Sequence, residues 1–318
     1  MSKRFTYFNS FSSTNPNFVS VWDTTKSGSA SDTIVLPMTA GPTVDWGDGT
    51  IDTTNTHTYA VGGIKTISIS GTINTFKTFG ALDRLKILEV TNWGTFDFAD
   101  ERIFQGCTNL DVTATDAPII SAANAGLISF YQCNLTNTDF SNWDWSAATS
   151  FKLFMNQGNA SFIGNIENII HGGVTNIEKA WSNVPLGNQD LSTWDVSGIT
   201  VWTEAFRGSG LGALTDVSGW IPKGNMSTVF FQNPLFEGIG IDTWTISAIT
   251  GGGNLFNFTN IQTSTYDATL IAWESQAPSN SISITFGAVQ YTLGGAAEAA
   301  RTSLINTYGW TITDGGGI

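Results

Sequence analysis

The chain has 318 residues, 41% hydrophobic and only 12% charged, and its 26 acidic against 13 basic side chains leave a net charge of −13. With no Lys/Arg cluster to neutralise phosphates, composition argues against a nucleic-acid partner. Two histidines and two cysteines supply neither a His-rich metal site nor a disulfide-dense scaffold. No run approaches the roughly 18 apolar residues of a membrane span, and the opening MSKRFTYFNSFSST is polar and lacks the apolar stretch of a signal peptide.

Residues 18–72 read as short strands separated by turns. Phe18-Val19-Ser20-Val21-Trp22 and Ile64-Lys65-Thr66-Ile67-Ser68-Ile69 alternate apolar and polar, with Thr33–Leu36 and Val44–Thr50 between them. Asp48-Gly49 is a tight-turn signal, and several strands without helical period indicate a small antiparallel sandwich. Asp45, Asp48 and Asp52 space as DxxDGxxD. Calcium loops of the EF-hand type place ligands at alternate positions, so turn stabilisation by Asp48 is favoured over metal binding.

From residue 73 the chain is periodic. Trp93, Pro118, Trp143, Ile169, Trp194, Trp220 and Trp244 fall at spacings of 25, 25, 26, 25, 26 and 24. Eight residues before five of these anchors stand Leu85, Leu110, Leu135, Leu186 and Phe236. A second apolar ridge, 11 to 13 residues after the anchors, comprises Phe104, Phe130 with Tyr131, Met155, Trp181, Phe206, Phe231 and Phe256. Such a unit cannot bury its apolar side alone, and stacking on neighbours turns the columns into internal ladders. Short strands are expected at LKILEV, LDVTAT, DFSNWDW and DLSTWDV.

Cys107 and Cys133, 26 residues apart, occupy equivalent positions of neighbouring units. They form either a disulfide or a pair of buried thiols. Asp139, Asp190 and Asp216, with Asn165 between, stand four residues before their anchors, and Asp144 and Asp195 alternate with Ile170 and Ile221 one residue after them. Interrupting like charges is what stacking alone requires; an acidic recognition stripe is the functional alternative. His57 and His171 lie in different segments, so no Ser-His-Asp or Cys-His constellation is indicated.

After Asn260 the period stops. Ser264–Gln276 has helical spacing, Ser281–Phe286 alternates as a strand, Gly295–Thr307 is Ala-rich and helical with Gly309 as its stop, and Gly309–Thr313 makes a last strand. A stack of repeats needs such a terminal cap.

The stretch VDWGDGTIDTTNTHTYAVGGIKTISISG resembles an Ig-like domain of the polycystic-kidney-disease (PKD) type, which implies a surface spacer. RIFQGCTNLDVTATDAP resembles the BspA-type leucine-rich repeat, and DLSTWDVSGITVWTEAFRG and DFSNWDWSAATSFKLFMNQG resemble the Trp-Asp-Val-Ser repeats of bacterial surface lipoproteins. Those resemblances imply surface adhesion or recognition and carry no catalytic residues.

The expected fold is thus mainly β: an N-terminal arm (1–17), a small Ig-like β-sandwich (18–72), a leucine-rich-repeat-type solenoid of about seven 25-residue rungs (73–260) and an α/β C-terminal cap (261–318). Trp93, Trp143, Trp194, Trp220, Trp244, Phe104, Phe206 and Phe256 are its structural anchors. No catalytic residue, cofactor or metal is expected. Proteins of this design that belong to a bacterial surface carry an export signal, a lipobox cysteine or an anchor, and none is seen. The expected function is therefore a non-enzymatic virion component of a phage (tail or head fibre, or capsid decoration) at the virion surface. Its partners would be other virion proteins, a host-surface protein or glycan, or further copies of itself. A bacterial cell-surface adhesin is the alternative, and a carbohydrate-binding or carbohydrate-active protein using exposed Trp the third reading.

Overall fold

The computed structural model describes residues 15–73, 75–136, 138–157, 162, 164–278 and 281–318; almost all of the expected N-terminal arm lies outside them. The described chain opens with β1 (Phe18–Asp23), β2 (Thr33–Val35), β3 (Thr43–Asp45), β4 (Ile51–Asp52), β5 (Thr56–Thr58), β6 (Ile64–Ser70), β7 (Ile87–Asn92) and β8 (Asp111–Val112). Alternation in β1 turns Phe18, Ser20 and Trp22 inward, and the buried indole of Trp22 satisfies its N–H on Ser20 Oγ at 2.8 Å. β3 and β4 are joined by the Trp46-Gly47-Asp48-Gly49 turn. Gly47 has φ +77°, and a Cβ there would lie 2.4 Å from the Thr66 carbonyl, so this position needs glycine.

The expected fold class is corrected by the sheet topology. The N-terminal strands do not close into a separate sandwich. β1 pairs antiparallel with β6 on one side and with β7 on the other, giving one six-stranded sheet in the order β4-β3-β6-β1-β7-β8 that runs into the repeats. Only β2 and β5 form a second, two-stranded ribbon beside it. A buried ionic clamp reinforces the junction. Asp83 accepts from the Ser29 and Val35 N–H groups, both at 2.6 Å, and Lys86 Nζ donates to the carbonyls of Ser29, Ala30 and Thr33. Nζ lies 3.7 Å from Asp83 Oδ1, with both side chains fully buried.

Nor does a leucine-rich-repeat-type solenoid follow, because among the described residues no continuous parallel sheet runs through the units. The next strands after β8 are β9 (Lys223–Asn225) and β10 (Ala248–Gly251), a separate two-stranded sheet. Between them the units touch through isolated parallel bridges such as Asp139↔Asn165, Asn176↔Val201 and Asp190↔Asp216. The expected strands at DFSNWDW and DLSTWDV are absent for a local reason. Asp139 and Asp190 each accept the N–H and hydroxyl of the serine two residues on, and Asp195 caps the 3-10 turn Val196–Gly198. These side-chain turns curl the backbone after a single bridging residue.

What the 25-residue spacing produces instead is a one-way ladder of backbone hydrogen bonds in the turn segments. Thr78 N–H donates to Ile103 O, Phe104 to Ser129, Phe130 to Phe154, Met155 to Ala180, Trp181 to Ala205, Phe206 to Val229, Phe230 to Leu255, Phe256 to Thr285 and Phe286 to Thr313, at 2.8–3.1 Å. Every donor belongs to the earlier unit and every acceptor to the later one.

The C-terminal segment contains α1 (Thr263–Ser275), β11 (Ser283–Thr285), α2 (Ala296–Asn306) and β12 (Thr311–Thr313), with β11 and β12 parallel. These match the expected order of elements to within two residues. α1 turns Tyr266, Leu270 and Trp273 inward, and Trp273 Nε1 donates to Ile241 O at 2.9 Å, closing the last unit. No helix among the described residues is long and apolar enough to cross a membrane.

Candidate recognition face

The eight anchor residues are all internal. Trp93, Trp220, Trp244, Phe104, Phe206 and Phe256 have no exposed surface, and Trp143 and Trp194 retain 6% and 3%. Trp194, Trp220 and Trp244 stack in sequence, at 6.1 Å and 4° for the first pair and 5.6 Å and 12° for the second. Each indole donates to a carbonyl of the preceding unit: Ile166, Leu191 and Val217 respectively. The second ridge is internal as expected except at Tyr131, which is only part-buried with its OH on Gln157, and at Phe231. Phe230, not Phe231, lies in the column between Phe206 and Phe256, at 5.6 and 5.7 Å with ring planes within 10°. Phe231 turns outward, under the guanidinium of Arg207. Adjacent aromatics are indistinguishable by spacing when the unit shortens to 24 residues.

Cys107 and Cys133 are free, buried thiols. Cys133 Sγ donates to Phe104 O at 2.9 Å. Burial pushes the Cys107 thiol up to about 12 and holds that of Cys133 well above the usual range, so both stay protonated and unreactive at neutral pH. His171 is a loop brace: its Nδ1 accepts from Gly173 N–H, and its Nε2 lies 3.0 Å from the carbonyls of Trp145 and Ala148. His57 Nε2 meets Asp48 Oδ2 at 2.8 Å while its ring stacks on Trp46 at 5.1 Å. That hydrogen bond, joined by the Thr50 N–H, lowers the Asp48 carboxyl to about 2.

The candidate calcium ligands are occupied by the turn itself. Asp45 accepts from Gly47 N–H, Asp48 from Thr50 N–H and His57, and Asp52 from Thr54 and the Trp46 indole. The acidic column is likewise engaged. Asp190 and Asp216 are bridge partners, and each spends Oδ1 on the serine two residues later. Asp144 and Asp195 do the same with Ser146 and Ser197. Among the described residues no group of three or more His, Cys, Asp or Glu could hold a metal ion.

A different surface, not singled out by the sequence, emerges at the turns of the ladder. Each unit carries two left-handed residues four positions apart, for example Ile128 with Gln132, Leu153 with Gln157, and Lys179 with Asn183, all with φ between 54° and 60°. At or beside the first position of three successive pairs, ions meet across units: Lys152–Glu178 at 2.8 Å and Lys179–Glu204 at 3.9 Å, with Arg207–Glu204 at 3.1 Å within one unit. At the second, glycine stands in two units (Gly106, Gly208), and Gln132, Gln157, Asn183, Gln232 and Phe258 in the others. A side chain in the left-handed region costs on the order of 1 kcal/mol relative to glycine. These five side chains are exposed. The segments are held in register by bonds from Gly106 to Tyr131, Gln132 to Asn156, Gln157 to Ser182, Asn183 to Arg207, Gly208 to Phe231 and Gln232 to Asn257.

With this geometry in view, one comparison with known families bears on the repeats. Residues 99–220 match the family described as "Mycoplasma protein of unknown function, DUF285". The match covers under half of the chain and is to BspA-like surface repeats; it carries neither the leucine-rich-repeat nor the PKD features. No curated protein and no solved structure matches the chain.

Proposed function

We propose that this chain is a non-enzymatic recognition or structural scaffold displayed on a surface, that of a phage virion as a fibre or capsid decoration, or that of a bacterial cell as an adhesin. One observation carries the reading: the aromatic columns are spent entirely on joining unit to unit. A carbohydrate-active protein built on those tryptophans needs them exposed beside convergent carboxylates, and they are buried in ring stacks and indole–carbonyl bonds. What faces outward is serine, threonine, asparagine, glutamine and aspartate fixed by short-range turns, a surface suited to contact rather than chemistry. The match to BspA-like surface repeats over residues 99–220 supports display. The WGDG…THTY segment, which resembles the PKD type, fits a spacer role in the same design.

Immunogold labelling of intact phage particles and of intact cells of the producing strain tests this. Label on one of the two surfaces is expected and identifies the carrier. Confinement of the chain to the soluble cell fraction, or turnover of a polysaccharide panel that single Asp→Asn changes abolish, overturns the reading.

A further inference from the structure

The left-handed turns of the repeats carry a strip of exposed amides and aromatic rings that neither the fold nor the packing uses. Gln132, Gln157, Asn183 and Gln232 stand at equivalent positions of their units with φ of 58–62°, and Phe258 continues the line at 62°. Glycine does the same backbone work in Gly106 and Gly208, so the fold does not need these side chains. Nor do their side chains ladder with one another: among the described residues, the side-chain bond that reaches any of these amides across units is Tyr131 OH to Gln157 Oε1 at 3.2 Å. Phe258 is 62% exposed and meets Phe231 edge-on at 5.5 Å. Of the residues immediately before these positions, Tyr131 and Phe231 add rings and Arg207 a guanidinium paired with Glu204 at 3.1 Å, whereas Asn156 and Ser182 are buried. These left-handed positions themselves carry no carboxylate, on a chain of net charge −13.

From this placement we infer that the strip is the contact surface for a neutral polysaccharide lying along the line of units. The inference rests on the surface-recognition reading above and names its partner class. Primary amides both donate and accept, which matches hydroxyl groups that do the same. Exposed phenyl and phenol rings supply flat apolar faces for the C–H face of a sugar. Successive units are joined backbone to backbone at these turns, so successive amides can meet successive residues of one polymer. The acidic field of the whole chain disfavours polyanions, and the uncharged amides and ring at these left-handed positions favour a neutral ligand.

Affinity electrophoresis of the full-length chain in gels containing laminarin, hydroxyethylcellulose, dextran or galactomannan, with polygalacturonate as the charged control, tests the inference. Retardation by at least one neutral polysaccharide is expected. The triple change Gln132→Gly, Gln157→Gly and Gln232→Gly, which keeps the left-handed turns, should weaken that retardation about tenfold or more through lost hydrogen bonds, with an unchanged or raised melting temperature. Asp190→Asn with Asp216→Asn, in the acidic column, should leave retardation unaltered. No retardation by any neutral polymer, retardation by polygalacturonate alone, or a triple variant that binds like the parent overturns the inference. If immunogold labels a surface while the gels show no retardation, the display reading stands and this one falls. Attachment to the target surface that protease abolishes and periodate spares identifies a protein partner and likewise overturns it.

Discussion

The repeats on either side of residue 170 solve the same packing problem differently. From Trp181 onward the rings lie nearly parallel: Trp181 on Phe206 at 13°, Phe206 on Phe230 at 5°, Trp194 on Trp220 at 4° and Trp220 on Trp244 at 12°. Before it the angles are mixed: Phe104 lies on Phe130 at 14°, but Trp93 meets Trp143 at 83°, Phe130 meets Phe154 at 87° and Phe140 meets Trp143 at 76°. The cause is the anchor column. Pro118 and Ile169 replace indoles in the earlier units, so no continuous tryptophan stack can form there, and Phe98, Phe140 and Trp145 fill the gaps at whatever angle fits. The polar consequence is direct. Trp194, Trp220 and Trp244 each donate to the preceding unit, whereas among the described residues the buried Nε1 atoms of Trp93 and Trp145, and of Trp181 at the boundary where the parallel stacking begins, have no partner. A regular column satisfies its polar atoms as a by-product of its regularity; an interrupted one buries surface equally well but leaves donors stranded.

The largest effect that probes this difference is Trp220→Ala. It opens a cavity between two stacked indoles and should cost about 3–5 kcal/mol or prevent folding, read as the shift of a urea midpoint. A sharper contrast comes from swapping indole for phenyl on each side. Trp220→Phe removes the indole donor from the Leu191 carbonyl, which keeps the Trp194 N–H, and should cost about 0.5–1.5 kcal/mol beyond the packing lost with the smaller ring. Trp181→Phe removes a donor that has no partner, at a position where other units already carry Phe, and should stay within about 1 kcal/mol of the parent. Equal losses in the two variants would show that the indole–carbonyl bonds contribute nothing. The smallest effect belongs to the N-terminal sheet and serves as a control outside both regions. Asp48 is held down by His57 and the Thr50 N–H, so its contribution is fully present above the ordinary value of 3.8 and is lost as pH falls through about 2. Asp48→Asn should flatten acid destabilisation between those values in thermal melts, without changing the response of the repeats at neutral pH.

Much of the arrangement was legible in the sequence where one residue type repeats at one interval. The anchors Trp194, Trp220 and Trp244 and the ridge Phe104, Phe206 and Phe256 are internal, and the helices around Tyr266 and Leu304 lie where their spacing and glycine stop put them. What failed was the step from period to strand. Asp-Phe-Ser and Asp-Leu-Ser look like strand alternation, but in each the aspartate captures the serine two residues on and bends the chain. The separate N-terminal sandwich failed because Phe18–Asp23 and Ile87–Asn92 are partners across about seventy residues, a pairing no local pattern announces. The amide strip was illegible for another reason. Gln132, Gln157 and Gln232 are ordinary surface residues by composition, and only their left-handed backbone sets them apart.

The ladder of backbone hydrogen bonds in the turn segments, from Thr78 to Thr313, points one way, which gives the repeats a grammar for lengthening or shortening. Any stretch of chain that starts and stops at equivalent points offers the same donors forward and the same acceptors backward, so excising one period lets the severed partners find each other anew. Excising half a period would not. Evolution can therefore change the reach of this protein by whole repeats, while single-residue insertions in the turns are resisted.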